Sequence, residues 1–343
     1  MRRSALTRPT LSEFGRNGVS AGKGLTFLKR LLVERTATGV FLVLLAIILV
    51  TGIVNPRFFS GYNLQTLSRQ VVIFGLLSIG ETFVIVTGGI DLSLGSLTAL
   101  LNVLAAWFMT HGFGVAGAVL ATLAIAACFG LWHGFFVTKL KVPAFIITLG
   151  TFAAAKGLAA VITRGWPISG LPAGFSNLWE GMMAQVVPIP VVLFLLVALL
   201  AHFVLGYTVW GQHLYAVGGN LEAARRFGIR INRVRMTAYV VSALSAGVVA
   251  LLIAARLNQG NPTVGTFYEM YAIAGVVIGG ASLFGGEGSV IGGILGASII
   301  SVLWNALVLL RVSSYWHEVT VGAIIVVAVT VDVLRRLRGQ TAP

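Results

Sequence analysis

The chain has 343 residues, of which 57% are hydrophobic and only 10% charged, with a mean hydropathy of +0.94. A soluble domain carries about 25% charged and about 45–50% apolar residues, so this composition excludes a soluble globular enzyme, a disordered chain and a collagen-like fibre. The formal net charge of +14, from 24 Lys+Arg against 10 Asp+Glu, would point to nucleic acid in a soluble protein; in a membrane protein its meaning depends on where the charges sit.

Residues 1–35 are basic, polar and rich in Gly, Ser and Thr, a composition expected to be disordered and to lie near anionic lipid. The first apolar run, Thr36 to Val54, is close to the roughly 20 residues a spanning helix needs. Asn55-Pro56-Arg57 follows it in place of a small-x-small cleavage pattern, so it reads as a retained span. Further spans are expected at about 71–88, 93–110, 114–138, 143–162, 189–205, 236–255, 271–284, 289–310 and 318–334. The run 271–284 is short, which predicts a half-helix or re-entrant segment. The fold class is therefore an all-α integral membrane protein of about ten transmembrane helices. It forms a single transmembrane domain over 36–334, with a loop at 208–235 and a tail at 335–343. No soluble stretch is long enough to bury a core of its own.

Ten crossings put both termini on one side. On that side lie 18 of the 24 basic residues, including Lys139, Lys141, the five arginines of 208–235, and Arg335, Arg336 and Arg338. The positive-inside rule makes it the cytoplasmic side. The charge thus reports topology, and no nucleic-acid partner is expected.

The single cysteine, Cys128, allows no internal disulfide. The five histidines are scattered, so no metal site is expected. No phosphate loop is present: Gly18-Val-Ser-Ala-Gly22-Lys23-Gly24 has the wrong spacing and lacks the Ser/Thr that holds magnesium. Any ATP-driven step must be supplied by another chain.

Four constellations stand out. In Thr87-Gly88-Gly89-Ile90-Asp91-Leu92-Ser93, two glycines close one apolar run, and Asp91 is placed to cap the helix from Ser93; the alternative is a helix break facing a water-filled route. Glu81 falls in the middle of the span expected at 71–88, where an ionisable group costs about 2.5–3.5 kcal/mol on insertion scales, so it is expected to face protein or water. Asn102 and Asn305 either bond between helices or meet a hydroxylated solute, and His133 and His202 read as packing residues. Nine of the 22 residues from Gly275 to Gly296 are glycine; the i, i+4 pairs favour close helix packing, with a turn at Gly285-Gly286-Glu287-Gly288 or, alternatively, a pore-lining element. In Gly206 to Arg235, Gly218-Gly219-Asn220 reads as a turn. Leu221 to Phe227 reads as a short helix with Glu222 at its start, Arg225 and Arg226 at its end, and Gly228 closing it.

Five strings in order, VTGGIDLSLGSLTAL (86–100), VPAFIITLG (142–150), GQHLYAVGGNLEAARRFGI (211–229), ARLNQGNPTVGTFYEMYAIAGVVIGGASLFGGEGSVIGGILGA (255–297) and VSSYWHEVTVGAIIVVAVTVD (312–332), resemble the permease subunit of bacterial ATP-binding-cassette sugar importers of the ribose/xylose/galactoside type, with branched-chain amino-acid permeases as distant relatives. The resemblance spans about residues 40–334. It implies a type II ABC importer-like fold in the bacterial inner membrane. It also implies a second permease copy or close paralogue, two cytoplasmic ABC ATPase subunits that use ATP and Mg, and a periplasmic or lipid-anchored sugar-binding protein. No cofactor would be bound by this chain. Residues 211–229 would then be the coupling element, with Tyr215, Gly218, Gly219, Asn220, Glu222, Ala223, Ala224, Arg225 and Gly228 at or near the ATPase. Glu81, Asp91, Ser93, Asn102 and Asn305 are the candidate substrate-pathway residues. Relatives of this type usually carry an apolar, Met-like residue where this chain has Glu81, so Glu81 is the informative departure. The expected function is import of a monosaccharide or polyol by alternating access; the alternative is an ion-coupled secondary transporter using Glu81 and Asp91.

Overall fold

The structure, a computed structural model, describes residues 36–313 and 315–340; the expectation of disorder over 1–35 lies outside the described residues. In hydrocarbon every backbone polar group must be satisfied within the protein, which leaves helices as the economical solution for an open chain. The observed elements are α1 (Thr36–Val54), a 3-10 turn (Pro56–Phe59), α2 (Gly61–Val86), α3 (Leu94–Thr110), α4 (Gly114–Thr138), α5 (Ala144–Thr163), β1 (Ile168–Ser169), α6 (Asn177–Glu180), β2 (Met182–Met183), β3 (Val187–Pro188), α7 (Ile189–Tyr207), α8 (Val209–Gly219), α9 (Leu221–Arg226), α10 (Ile231–Leu257), β4 (Gln259–Gly260), α11 (Tyr268–Ile278), α12 (Val290–Leu309) and α13 (Tyr315–Gln340). The two-residue strands pair antiparallel as β1–β4 and β2–β3.

Among the described residues, seven helices are long and apolar enough to cross a membrane: α1, α2, α4, α5, α7, α10 and α12. Shorter apolar stretches in α3, α11 and α13 bring the total to the ten expected. The 11 residues of α11 rise only about 16 Å at 1.5 Å per residue, roughly half of a 30 Å hydrocarbon core. The segment expected at 271–284 is therefore a half-helix, displaced to Tyr268–Ile278. The tail expected at 335–343 is not separate either, since α13 continues through Arg335, Arg336 and Arg338 to Gln340.

Helices α2 and α10 form the centre of the bundle, where Leu76, Leu77, Phe83, Tyr239, Leu252 and Ala254 are fully buried. Small residues set the spacing. On α4, a Cβ on Gly130 would lie 2.5 Å from the Val240 Cα, and one on Gly134 would lie 2.7 Å from the Met236 Cα. These i, i+4 glycines let α4 approach the α10 backbone and fix the 138 end of α4 beside the 231 end of α10. The end of the bundle carrying Lys139 and Lys141 is therefore also the end carrying the arginines of 225–235, hereafter the basic face. Gly275 and Gly279 of α11 meet Gly296 and Gly292 of α12 backbone to backbone, so the glycine-dense stretch serves close packing. At the opposite end, Arg69 and Arg256 both lie over the Trp179 ring of α6, with guanidinium carbons 5.9 and 5.4 Å from the ring centroid.

Candidate functional site

Three glycine-closed helix ends converge on the basic face. Helix α2 ends with Gly88 in the left-handed region (φ +77), the Gly89 amide donating to the Val84 carbonyl and the Gly88 amide to the Ile85 carbonyl. Half-helix α11 ends the same way: Ala281 donates to Val276 and Gly280 (φ +91) to Val277. Helix α9 closes with Ile229 donating to Ala224 and Gly228 (φ +78) to Arg225. Each is a Schellman motif, which satisfies otherwise orphaned carbonyls and needs a residue tolerant of positive φ.

The expected turn at Gly218-Gly219-Asn220 needs correction. Gly218 and Gly219 complete the last turn of α8, and the break comes at Asn220, whose backbone is extended (φ −154, ψ 102). Its side chain caps α9 by accepting from the Ala223 amide at 2.9 Å. The glycines are needed for proximity. A Cβ on Gly218 would overlap the Val86 carbonyl oxygen and lie 2.6 Å from the Gly286 nitrogen. The Gly286 amide donates to that same Val86 carbonyl at 2.9 Å, and the Tyr215 hydroxyl donates to the Gly288 carbonyl at 2.7 Å. The α8 end, the α2 end and the 282–288 loop thus touch through main chain, with no side chain between them to absorb a displacement. Burial pushes the Tyr215 phenol up from its ordinary pKa, so the donor keeps its proton.

Within this element Asn220, Glu222, Arg225 and Gly228 are exposed, and Ala223 is half-buried. Ala224 is buried against its own chain, which rules it out as an outward contact in this conformation; Tyr215 and Gly218 likewise face inward.

A few residues along the 87–93 loop lies a buried polar network drawn from five elements. Asp91 is its centre. One carboxylate oxygen accepts from the Ser93 amide at 3.0 Å and the Ser93 hydroxyl at 2.6 Å, and the other accepts from the Ser242 hydroxyl at 2.9 Å. The Asp91 amide donates to Glu81 Oε1 at 3.1 Å. His133 Nδ1 lies 3.9 Å from Asp91, and His133 Nε2 pairs with the Thr151 hydroxyl at 2.9 Å. Glu81, Asp91, Ser93, His133, Ser242 and Tyr239 are all fully buried. Asp91 is consequently an Asx-type turn residue two positions ahead of the N-cap residue, Ser93, which makes no side-chain cap. Because α2 starts at Gly61, ten residues earlier than expected, Glu81 lies in the last quarter of the helix near the basic face and not at its middle.

The remaining expected pathway residues are also engaged within the chain. Asn102 donates to the Ala250 carbonyl at 3.1 Å and accepts from the Asn261 amide at 2.7 Å. Asn305 exchanges two side-chain bonds with Asn63, at 2.8 and 3.0 Å. The structure therefore brings Glu81, Asp91 and Ser93 into one network and leaves Asn102 and Asn305 as separate interhelical bonds. Ser242 and Thr151 were not singled out in the sequence, because ordinary span residues carry no local signal of their partners, Asp91 at 151 positions and His133 at 18.

This arrangement, a bundle of membrane-crossing helices with a half-helix and a small two-helix element docked on main chain, is that of a multi-pass transport protein. Residues 63–329 match the family model described as branched-chain amino acid transport system / permease component, and the chain belongs to that family. It is 39% identical over 296 residues to the ribose import permease protein RbsC of Bacillus subtilis (strain 168), covering 86% of this chain and 92% of the relative. With the ribose import permease protein RbsC of Escherichia coli (strain K12) it shares 38% identity over 312 residues, 89% and 95% of the two chains. With the autoinducer 2 import system permease protein LsrC of Yersinia enterocolitica it shares 36% over 296 residues, 85% and 81%. No solved structure gives a significant match.

Proposed function

We propose that the chain is the membrane-spanning subunit of an ATP-driven, binding-protein-dependent importer for a monosaccharide or related polyol, working by alternating access in the bacterial inner membrane with both termini cytoplasmic. The observation that carries this reading is the α8–α9 element. Its outer side presents Asn220, Glu222 and Arg225 on the basic face, and its inner side rests main chain to main chain on Val86 and Gly286. A displacement imposed on α9 by a partner is passed on to the ends of α2 and α11, because nothing compressible separates them.

In this reading two cytoplasmic ATPase subunits bind ATP and Mg, and this chain binds no cofactor. A periplasmic or lipid-anchored binding protein delivers the solute, and a second copy or paralogue completes the permease. Two of the relatives named above are ribose import permeases, which favours a small hydroxylated solute. Glu81, Asp91, Ser93, Asn102 and Asn305 are sealed in the conformation described. We assign them to holding the closed packing of α2, α3, α10 and α12, and to solute contact only in a state where those helices have parted.

The test is reconstitution of the permease with its ATPase and binding protein in liposomes. Uptake that requires internal ATP and the binding protein, and that survives collapse of all ion gradients, is expected. Gradient-driven uptake by this chain without ATPase would overturn the proposal in favour of ion coupling through Glu81 and Asp91.

A further inference from the structure

We propose that the basic face carries a site for the phosphodiester headgroup of an anionic phospholipid, in the cleft between α8 and the start of α10. The cleft has a volume of about 360 Å³, and Trp210, His213, Phe227, Arg230, Arg233 and Thr237 are among its lining residues. It depends on the membrane assignment of the bundle but not on the identity of the ATPase or solute.

The floor is rigid. Trp210 stacks on Phe83 of α2, with ring centroids 5.5 Å apart and planes 22° from parallel. Its indole N–H is donated to the Thr237 hydroxyl at 2.9 Å. Trp210 lies just past the end of spanning helix α7, where an indole belongs at headgroup level. The walls are cationic: Arg230 and Arg233 are exposed, His213 is half-buried, and no carboxylate lines the cleft. Among the described residues the acid–base pair within 4.0 Å is His133–Asp91, so neither guanidinium has an acidic partner there. A planar guanidinium matches phosphate oxygens in geometry and charge, and basic clusters at cytoplasmic helix ends attract anionic headgroups.

Apolar surface flanks the cleft along the chain. Phe227, in its lining, is 86% exposed, and just before Trp210 the exposed Tyr207 and Val209 follow the exposed Leu199, Leu200 and Phe203 of α7. A ligand that suits all three surfaces has an anionic phosphodiester and an attached apolar tail. The exposed side of α9 (Glu222, Arg225, Arg226) does not line the cleft, and the lipid site adjoins the surface proposed for the ATPase at Phe227 and Gly228.

The test uses the purified full transporter in neutral-lipid nanodiscs, titrated with short-chain phosphatidylglycerol and separately with inorganic phosphate, with bound lipid counted by native mass spectrometry. One saturable lipid per permease chain is expected. The pair Arg230→Gln with Arg233→Gln should weaken it about tenfold or more, since each basic residue near a surface contributes about 1 kcal/mol. Arg230→Lys with Arg233→Lys should retain most of it, and Arg57→Gln at the opposite end should leave it unchanged. Three results would overturn the proposal: equal lipid binding by the glutamine pair and the wild type, equally tight binding of free phosphate, or a glutamine pair that keeps the lipid but loses the ATPase.

Discussion

Glu81 and Asp91 illustrate how two acids are accommodated inside a membrane bundle where, among the described residues, no lysine or arginine lies within ion-pair distance. Asp91 collects three donors on its two oxygens, and its own amide is fixed by Glu81. Hydrogen bonds to a charged group are worth roughly 1.5–3 kcal/mol each, and a buried amide left without an acceptor costs about 1–3 kcal/mol. Glu81→Gln preserves the acceptor for the Asp91 amide and should change thermal stability little. Glu81→Met removes it and should lower stability by about 1–3 kcal/mol, read as a fall in the unfolding midpoint of the purified protein in detergent. If the two variants melt alike, the Glu81–Asp91 bond does not matter to the fold. Tyr215 gives a pH signature. Its pKa is raised by burial, so the folded state holds the phenol proton where the unfolded state has released it. The bond to Gly288 is then fully present below the ordinary phenol value of about 10 and is lost only as pH rises above it. Tyr215→Phe should cost about 1 kcal/mol uniformly at pH 6 to 9, measured by thermal unfolding; a loss that grows or vanishes within that range would contradict the assignment.

At the scale of helices, spacing is set by glycine. Gly134→Val would drive a branched side chain into the Met236 backbone, already 2.7 Å from an ideal Cβ, and should destabilise by about 1–3 kcal/mol as overpacking does. Gly157 of α5 has nothing within 4 Å of the same position, so Gly157→Ala should be neutral or stabilising by up to about 0.5–1 kcal/mol. Thermal unfolding of the two variants side by side checks the pair. This distinction was not legible in the sequence, where both are glycines in apolar runs. What hydropathy does read well is the helix with apolar ends: Thr36–Val54 and Gly114–Thr138 match expectation to the residue. It fails where helices begin in polar turns. Asn63, Gln65 and Arg69 hid the first ten residues of α2, and Arg233 and Arg235 hid the start of α10. The turn expected at Gly218-Gly219 failed for a related reason. Glycine is locally ambiguous between a break and a close approach, and only the opposing Val86 and Gly286 backbone decides.

At the scale of the whole molecule, the two special regions form one continuous path. The exposed face of α9 connects through Gly218 to Val86 and Gly286, and from Val86 through the Gly88–Gly89 turn to Asp91 and the network that ties α2, α4, α5 and α10 together. Among the described residues, Lys139, Lys141 and the five arginines of 225–235 lie on this face, where both the proposed ATPase and the proposed lipid meet the protein. The central claim is that motion imposed on α9 enters the membrane through the Gly218 contact. Adjacent glycines test it most directly. A methyl at Gly218 overlaps the Val86 carbonyl, whereas one at Gly219 comes no closer than 3.9 Å to Gly286. In the reconstituted transporter, Gly218→Ala should retain the ATPase and hydrolyse ATP yet lose solute uptake per ATP by about tenfold, the equivalent of 1.4 kcal/mol, while Gly219→Ala transports normally. Equal uptake per ATP in the two variants would contradict the account.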